Sequence, residues 1–458
     1  MYISNIAKLS GEAAKEALAP LMSEYDQYLA KNLKLDIQRG RPSTEQLDIA
    51  SKMLDWGDAP YTCEDGNDAR NYGGGIEGAP EARALFAGIL GVEGKNVIAW
   101  GNSSLSIMYD LLVKAMLFGV YGSTKSWLEQ ARESGEKLKF LCPVPGYDRH
   151  FYMTETLGFE MINIDMRADG PDMDAVERLA AADPMIKGIW NVPKYSNPTG
   201  ITYSDETVRR FAALKPKAAD FRIFWDNSYA VHDLYDEPDE LLNLYTEAQK
   251  SGTEDLVYMF ASSSKITFAG GGVTAFAASE GNIKHYAKQL SAQTICPDKL
   301  NQLRHVRYIK DNAGLVEIMK KHAALIRPKF EIVLKVLEEE FRGAIGGSCS
   351  GSSGTAAAAT AAAAAAGSDM DICDWTNPRG GYFISLNAPR DCAKEALKLA
   401  AGAGVRLTPA GATFPYGADP QDRNIRIAPT VPPTSELEAA MRVLALCIKI
   451  AYLKGKIL

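Results

Sequence analysis

The sequence predicts an α/β protein: a large domain with a mostly parallel sheet flanked by helices, and a smaller α+β domain. Two observations lead to this prediction. From about residue 80, short runs of apolar, β-branched and aromatic residues alternate with helical stretches, a pattern typical of buried parallel strands joined by crossover helices. The length of 458 residues also exceeds what one hydrophobic core usually serves.

The predicted strands follow one another at short intervals. Those of the large domain lie at 96–100, 137–145, 159–166, 186–193, 221–229 and 256–264, and GGYFISL at 380–386 lies in the smaller domain. Helical spacing of apolar residues predicts a helix within 1–34. A long helical stretch follows residue 310, and SELEAAMRVLALCIKIAYLKG predicts a last helix.

The same pattern suggests where the domains begin and end. Residues 1–60 are predicted to be an N-terminal part of the small domain, 61–315 the large domain, and 316–458 the rest of the small domain. Within the last part, 346–368 is a low-complexity Gly/Ser/Ala segment. Its composition is that of a flexible linker followed by an alanine tract, and we expect a surface excursion without a catalytic role.

Composition and charge narrow the class of partner. The chain has 50 Lys and Arg against 57 Asp and Glu, a net charge of −7, which gives no global attraction to nucleic acid or to an anionic membrane. The seven cysteines form no C-x-x-C pair, as expected for reduced thiols in the cytoplasm. The five histidines lack zinc spacing, so no metal site is expected, and neither a signal peptide nor a membrane-spanning run is apparent.

Four polar segments stand at predicted strand ends or loops of the large sheet, where open α/β proteins bind ligands, and a fifth, NIRIAP, lies in the smaller domain. They are GNSSLS (101–106), KYSNPTGI (194–201), WDNSYA (225–230), ASSSKITFAGGG (261–272) and NIRIAP (424–429). Each has an ordinary explanation when taken alone, since Asn-Pro-x-Gly forms turns and a strand-end Asp often caps a helix. Their order and residue types together indicate a small-molecule site.

In that order the segments resemble the fold-type I pyridoxal-phosphate enzymes, specifically the class I/II aminotransferases, over most of the chain. The resemblance implies a sheet of the seven-stranded type and pyridoxal 5'-phosphate as cofactor. It implies that Lys265 forms the internal aldimine and that Asp226 pairs with the pyridine nitrogen. It further implies that Tyr229 and Asn197 hydrogen-bond the phenolic oxygen, and that Arg426 holds the substrate α-carboxylate.

The resemblance also implies contacts to the rest of the cofactor. Tyr147 is similar to the aromatic residue that stacks on the ring. Tyr72, in NYGGG, resembles the tyrosine that reaches the phosphate of a neighbouring subunit, so a homodimer with shared active sites is expected. The predicted phosphate contacts are Asn102, Ser103, Ser104, Ser262 and Ser264.

One position departs from the family pattern. The phosphate-binding arginine expected eight residues after the lysine is replaced by Val273. The preceding run Gly270–Gly272 could bring backbone N–H donors close to the phosphate, or it could be only a turn.

The preferred substrates are predicted from the subgroup resemblance rather than from residue logic. RGRPSTEQLDI, NYGGG, CPVPGYDRHF and LTPAGATFPYG look like a divergent aspartate-aminotransferase-like subgroup, which implies aspartate as donor and 2-oxoglutarate as acceptor. A dicarboxylate needs a second cation, and the candidates are Arg149 and Arg39, with Gly40 beside the latter and Lys194 as a weaker third. Either arginine could instead form a surface ion pair.

Two other functions remain open at this point. A β-lyase or decarboxylase would use the same residues, because the cofactor performs the bond chemistry and geometry selects the bond. A ligand-sensing transcription regulator would need an N-terminal helix-turn-helix, and only about 34 residues precede the LDIQRG segment.

Overall fold

A computed structural model describes residue 9, residues 11–342 and residues 373–457. The low-complexity segment predicted at 346–368 lies outside the described residues. The helices in chain order are α1 (Gly11–Ala30), α2 (Thr44–Ile49), α3 (Pro80–Leu90), α4 (Ser104–Phe118), α5 (Trp127–Ser134), α6 (Asp148–Thr156), α7 (Met173–Ala182), α8 (Asp205–Ala212), α9 (Leu244–Ser251), α10 (Glu280–Leu290), α11 (Lys299–Ile309), α12 (Asn312–Leu337), α13 (Ala393–Gly402) and α14 (Thr434–Ile457).

The strands form one large sheet and two small ones. They are β1 (Leu35–Asp36), β2 (Val97–Trp100), β3 (Lys139–Val144), β4 (Glu160–Arg167), β5 (Gly170–Pro171), β6 (Ile186–Asn191), β7 (Arg222–Asp226), β8 (Val257–Ser262), β9 (Thr274–Ala277), β10 (Asp374–Trp375), β11 (Ile384–Asn387), β12 (Val405–Arg406) and β13 (Asn424–Ile427).

The large sheet has the order β2-β9-β8-β7-β6-β3-β4-β5. The pairs from β8 through β4 are parallel, whereas β9 runs antiparallel to both of its neighbours. The predicted α/β class with a mostly parallel sheet is therefore confirmed. Two details differ: β9 was not predicted, because its four-residue run follows glycines, and β5 is a two-residue antiparallel addition at the edge.

Both faces of this sheet are covered by apolar cores. Along β3, Phe140 and Cys142 belong to one core and Leu141 to the other, as the alternation of side chains in a strand requires. Phe224 and Trp225 of β7 divide in the same way. Continuous apolar strands are thus explained by burial on both sides.

A third core joins the two ends of the chain. Ala14, Leu21 and Tyr25 of α1 are buried in the same cluster as most of α14, and the Tyr25 hydroxyl donates to the Leu399 carbonyl at 2.9 Å. β1 pairs in parallel with β12, and β10-β11-β13 form a small antiparallel sheet beside them.

Polar caps fix where several helices of the large sheet begin. Asp172 accepts a hydrogen bond from Ala175 N before α7, and Ser204 accepts one from Thr207 N before α8. Each cap satisfies a backbone N–H that has no partner within the helix.

Within the described residues, the helices include none with the length and apolar character to cross a bilayer, and no group of three His, Cys, Asp or Glu is placed to hold a metal ion. Cys63, Cys142, Cys296, Cys373 and Cys447 are free thiols.

Candidate active site

A cavity opens at the carboxyl edge of the large sheet, where the ends of parallel strands meet. It gathers the residues of four separate sequence segments and Tyr147. The lining residues are Asn102, Ser103, Ser104, Leu105, Tyr147, Val192, Asn197, Asp226, Ser228, Tyr229, Ser262, Ser264, Lys265 and Ala269.

Lys265 ends a short 3-10 helix, Ser263–Lys265, directly after β8. Its Nζ lies 4.9 Å from the centre of the Tyr229 ring. Burial lowers the pKa of the Lys265 amine, and the negative charge of Asp226 opposes that shift in part. At a given pH a larger fraction of this amine is therefore neutral and available as nucleophile or base.

Two buried histidines form hydrogen bonds to the two residues that follow Lys265. His322 Nε2 donates to the Ile266 carbonyl at 3.0 Å, and His305 Nε2 lies 2.9 Å from Thr267 Oγ1. His305 Nδ1 donates to the Asn301 carbonyl at 2.7 Å, which fixes the neutral tautomer with Nε2 as acceptor. Burial lowers the pKa of His322 and lowers that of His305 to about 4.

This burial predicts a loss of stability in mild acid. Between its ordinary pKa of 6.5 and about 4, His305 takes up a proton in the unfolded chain but not in the folded one. The free energy of unfolding should therefore decrease as the pH is lowered from 6.5 to about 4, and His305 should account for about 3 kcal/mol of this decrease. Urea unfolding of the wild type and of His305→Gln at several pH values measures it: the variant should show the weaker dependence, and equal slopes would contradict the assignment.

Asp226, the last residue of β7, has both carboxylate oxygens fixed. His150 Nε2 donates to Oδ2 at 3.2 Å, and the Ser228 hydroxyl donates to Oδ1 at 2.7 Å. The His150 and Asp226 side chains are both 2% exposed, and the imidazole stacks on Trp190 with ring centres 4.4 Å apart. These bonds hold a buried carboxylate oriented toward the cavity.

The prediction from sequence did not include His150 or Ser228. His150 follows Tyr147 by three residues at the start of α6, a spacing that puts both side chains on one face of a helix, and the two rings lie 4.9 Å apart. That spacing is the signal that could have identified it.

The two tyrosines of the cavity stay protonated near neutral pH. Burial raises the pKa of Tyr229 well above its ordinary value, and burial followed by the charge of Asp148 raises that of Tyr147. Each hydroxyl therefore remains able to donate a hydrogen bond. Asn197 is 3% exposed and accepts from Arg426 Nη1 at 3.3 Å, so its amide oxygen faces the arginine.

The opposite end of the cavity is rich in hydrogen-bond donors. Ser103 precedes α4 without a side-chain capping bond, so the first N–H groups of a 15-residue helix have no side-chain acceptor from it. Ser264 Oγ donates to the Asn102 carbonyl at 3.1 Å and lies 2.8 Å from Ser262 Oγ. Hydroxyls and a helix N-terminus in one place favour an anion.

Val273 does not face this end of the cavity. It is 1% exposed in the sheet core, and its N–H donates to Ser263 Oγ at 2.8 Å. The preceding glycines form a turn, with Gly271 N donating to the Phe268 carbonyl at 3.2 Å. A Cβ on Gly272 would lie 2.9 Å from Ser264 Oγ, so glycine there permits close packing against the donor-rich end.

Arg426 lies in β13 of the small antiparallel sheet and contacts the start of α6. Its Nη1 donates to Asp148 Oδ1 at 2.7 Å and its Nη2 to Thr408 Oγ1 at 3.2 Å, while its Nε is buried without a partner in the described structure. The Phe383 ring lies 5.0 Å from the guanidinium carbon. Gly40 packs on that ring so closely that a Cβ would come within 2.4 Å of it.

A second cavity is lined by Arg426, which also donates to Asn197 of the first cavity. Arg39, Arg149 and Asp148 also line it. Neither Arg39 nor Arg149 has a side-chain hydrogen bond or ion pair with any residue described here, so the alternative of a surface ion pair finds no support. Lys194, in contrast, pairs with Asp233 at 2.8 Å and donates to the Ala230 carbonyl.

Three of the predicted residues, Lys194, Gly40 and Tyr72, line neither cavity. Gly40 acts on the neighbourhood of Arg426 only through its contact with Phe383. Tyr72 lies elsewhere on this chain with 72% of its surface exposed.

Comparison with known proteins agrees with this fold. A family model described as aspartate amino-transferase matches residues 9–360 and 353–457. An aspartate aminotransferase of Corynebacterium glutamicum is 41% identical over 429 residues, 93% of this chain and 92% of that protein.

Solved structures extend the likeness to three dimensions. The crystal structure of an aspartate transaminase from Corynebacterium glutamicum superposes with a TM-score of 0.89 at 39% identity, over 98% of this chain and 99% of that one. An α-aminoadipate aminotransferase of Thermus thermophilus, complexed with N-(5'-phosphopyridoxyl)-L-leucine, shares the fold at 19% identity and a TM-score of 0.66, over 94% and 95%. The chain therefore belongs to the aspartate aminotransferase family, among the fold-type I pyridoxal-phosphate aminotransferases.

Proposed function

We propose that this aminotransferase uses pyridoxal 5'-phosphate to move the amino group of L-aspartate to 2-oxoglutarate. The observation that carries the proposal is the single cavity that collects Lys265, Asp226, Asn197, Tyr229 and Tyr147 at the carboxyl edge of the sheet. The names of the two relatives from Corynebacterium glutamicum support aspartate as the donor.

The donor set of the cavity fits the ring of this cofactor. Asp226, fixed by two hydrogen bonds, would pair with the ring nitrogen and favour its protonated form. Tyr229 and Asn197 would donate to the phenolic oxygen, Tyr147 would lie against the ring, and the amine of Lys265 would bind the aldehyde carbon covalently.

The donor-rich end of the cavity fits the phosphate. The N-terminus of α4 and the hydroxyls of Ser103, Ser104, Ser262 and Ser264 would hold it, together with Asn102. Because Val273 is in the core, the charge of the phosphate would be met there by backbone N–H and hydroxyl donors and not by an arginine at that position.

The chain's own residues divide the remaining work. When bound, pyridoxal phosphate supplies an electron sink that stabilises negative charge at the substrate Cα. Lys265, with its lowered pKa, would take up the proton that leaves that Cα. Transfer of the amino group requires that Lys265 carry this proton away from Cα and not put it back there. Arg426 orients the α-carboxylate by a planar pair of N–H donors.

Arg149 is proposed to bind the distal carboxylate of the substrate, with Arg39 as the alternative. Both line the second cavity beside Arg426 and lack ion-pair partners in the described part of the chain. Gly40 is proposed to shape this substrate site through Phe383.

Replacing Arg149 by alanine should separate dicarboxylates from monocarboxylates. We expect the KM of the variant for aspartate to rise about tenfold to a hundredfold, since a hydrogen bond to a charged group contributes about 1.5–3 kcal/mol. Turnover of the monocarboxylate donor L-alanine should stay unchanged. Steady-state kinetics with both donors measures this, and Arg39→Ala is the matched variant. An equal loss with alanine would exclude Arg149 as the distal cation.

The reaction itself is tested on the holoenzyme. With aspartate and 2-oxoglutarate, oxaloacetate and glutamate should form in equal amounts. Release of pyruvate and ammonia would instead indicate a β-lyase, and release of carbon dioxide would indicate a decarboxylase; either would overturn the proposal.

We also propose a cytoplasmic homodimer with shared active sites, in which Tyr72 contacts the phosphate bound by the other subunit. The exposure of Tyr72 supports the shared site, and the free thiols of Cys63, Cys142, Cys296, Cys373 and Cys447 support the cytoplasmic location. Sedimentation equilibrium of the holoenzyme tests the assembly.

The proposed domains are 61–315 around the large sheet, and 1–60 with 316–458 around the core shared by α1 and α14.

A further inference from the structure

Asp148 forms an ion pair with Arg426, the residue proposed to bind the substrate α-carboxylate. Its Oδ1 accepts from Arg426 Nη1 at 2.7 Å, the shortest of the polar contacts to that guanidinium. We propose that Asp148 is a displaceable internal carboxylate, which holds the position that a substrate carboxylate takes and must leave when substrate binds. The inference rests on the proposed role of Arg426.

The arginine does not need Asp148 to stay in place. Its side chain is 6% exposed, it lies over the Phe383 ring, and it also donates to Thr408 and Asn197. Asp148 is the more accessible partner, with 29% of its side chain exposed at the first residue of α6. The anchored member of the pair is therefore the arginine, and the carboxylate is the member with room to move.

An incoming carboxylate cannot bind the Arg426 guanidinium in bidentate fashion without using Nη1, the nitrogen that Asp148 contacts. Nε is buried without access to solvent, and Nη2 already donates to Thr408. A bidentate carboxylate needs two adjacent N–H groups, and the one pair of the guanidinium that does not use Nε is Nη1 with Nη2. Two carboxylates on Nη1 would repel each other, so one must leave.

The cost of this exchange falls on every ligand that binds through Arg426. Breaking a charged hydrogen bond opposes binding of the amino acid and of the oxo acid alike. Arg149, next to Asp148 in the chain, and Arg39 line the same cavity and leave it with positive charge when Asp148 is withdrawn.

The test measures the affinity of the holoenzyme for succinate, an unreactive dicarboxylate, by titration calorimetry. Asp148→Asn keeps the shape of the side chain without its charge and should bind succinate about tenfold more tightly, with lower KM values for both substrates. Asp148→Ser should behave in the same way. Glu155→Gln removes a charge from the same cavity at a residue with no ion pair to Arg426 and should change the affinity by less than about twofold.

Unchanged or weaker succinate binding in both Asp148 variants would overturn the inference, since a purely structural role predicts weakening. The same succinate titration on Arg426→Lys separates the two levels of the argument. If that variant binds succinate as the wild type does, the proposed role of Arg426 fails and the inference with it. If it binds more weakly while the Asp148 variants do not bind more tightly, only the inference fails.

Discussion

The variant Lys265→Ala should lose transamination by a factor on the order of 10⁵ and lose the visible absorbance of lysine-bound cofactor. Alanine offers no amine to attach the cofactor and none to move the proton at the substrate Cα. The structure places no second lysine among the residues that line the cavity, so no neighbouring side chain in the described part can replace it. Single-turnover kinetics with aspartate and absorbance spectra of the reconstituted variant measure both losses.

Two controls separate the amine from its charge. Lys265→Arg keeps a cation near the Tyr229 ring but remains protonated at all working pH values, so it should be as inactive as the alanine variant. Methylamine added to Lys265→Ala should restore part of the proton transfer. Turnover and absorbance equal to those of the wild type in either variant would refute the assignment of Lys265.

Asp226→Asn should lower kcat on the order of 10³-fold with a much smaller effect on KM. The substitution keeps the size of the side chain but removes the negative charge that favours a protonated ring nitrogen, and such a charge acts mainly on the transition state. The single amide oxygen of asparagine can still accept from His150, and its NH2 group can donate to the Ser228 hydroxyl, so the surrounding structure should remain. Steady-state kinetics and the wavelength of the bound-cofactor absorbance report the two effects.

Ser228→Ala is the matched control for this prediction. It removes one hydrogen bond to the same carboxylate while leaving the charge, and kcat should fall less than about tenfold. If Ser228→Ala and Asp226→Asn were equally impaired, the orientation of the carboxylate and not its charge would be the decisive property.

The sequence was sufficient for the fold where burial leaves a strong pattern. β3, β6 and β7 are buried along almost their whole length, and their continuous apolar runs gave both their positions and the parallel sheet. β1 and β12 have two residues each and exist only because they pair with one another across most of the chain. No local pattern can predict strands whose cause is a distant partner.

The candidate site divides in a similar way. Residues such as Lys265 and Asn197 stand in short motifs whose types and order are visible in the sequence, and their roles remain predictions. His150 and Asp148 lie together in one segment, yet their partners are Asp226 and Arg426, 76 and 278 positions further along the chain. Such contacts follow from the topology of the sheet, so only the structure could identify them.

The packing of α1 on α14 has a consequence for how the chain folds. The hydrogen bond from Tyr25 to Leu399 joins residues 374 positions apart, and the apolar face of α1 is covered mainly by elements from the carboxyl-terminal part. During synthesis the large sheet can form first, while the apolar face of α1 stays uncovered until α14 has been made. We therefore expect the core shared by α1 and α14 to be completed late in folding. A chain that ends before α14 would expose the apolar face of α1, to which chaperones could bind.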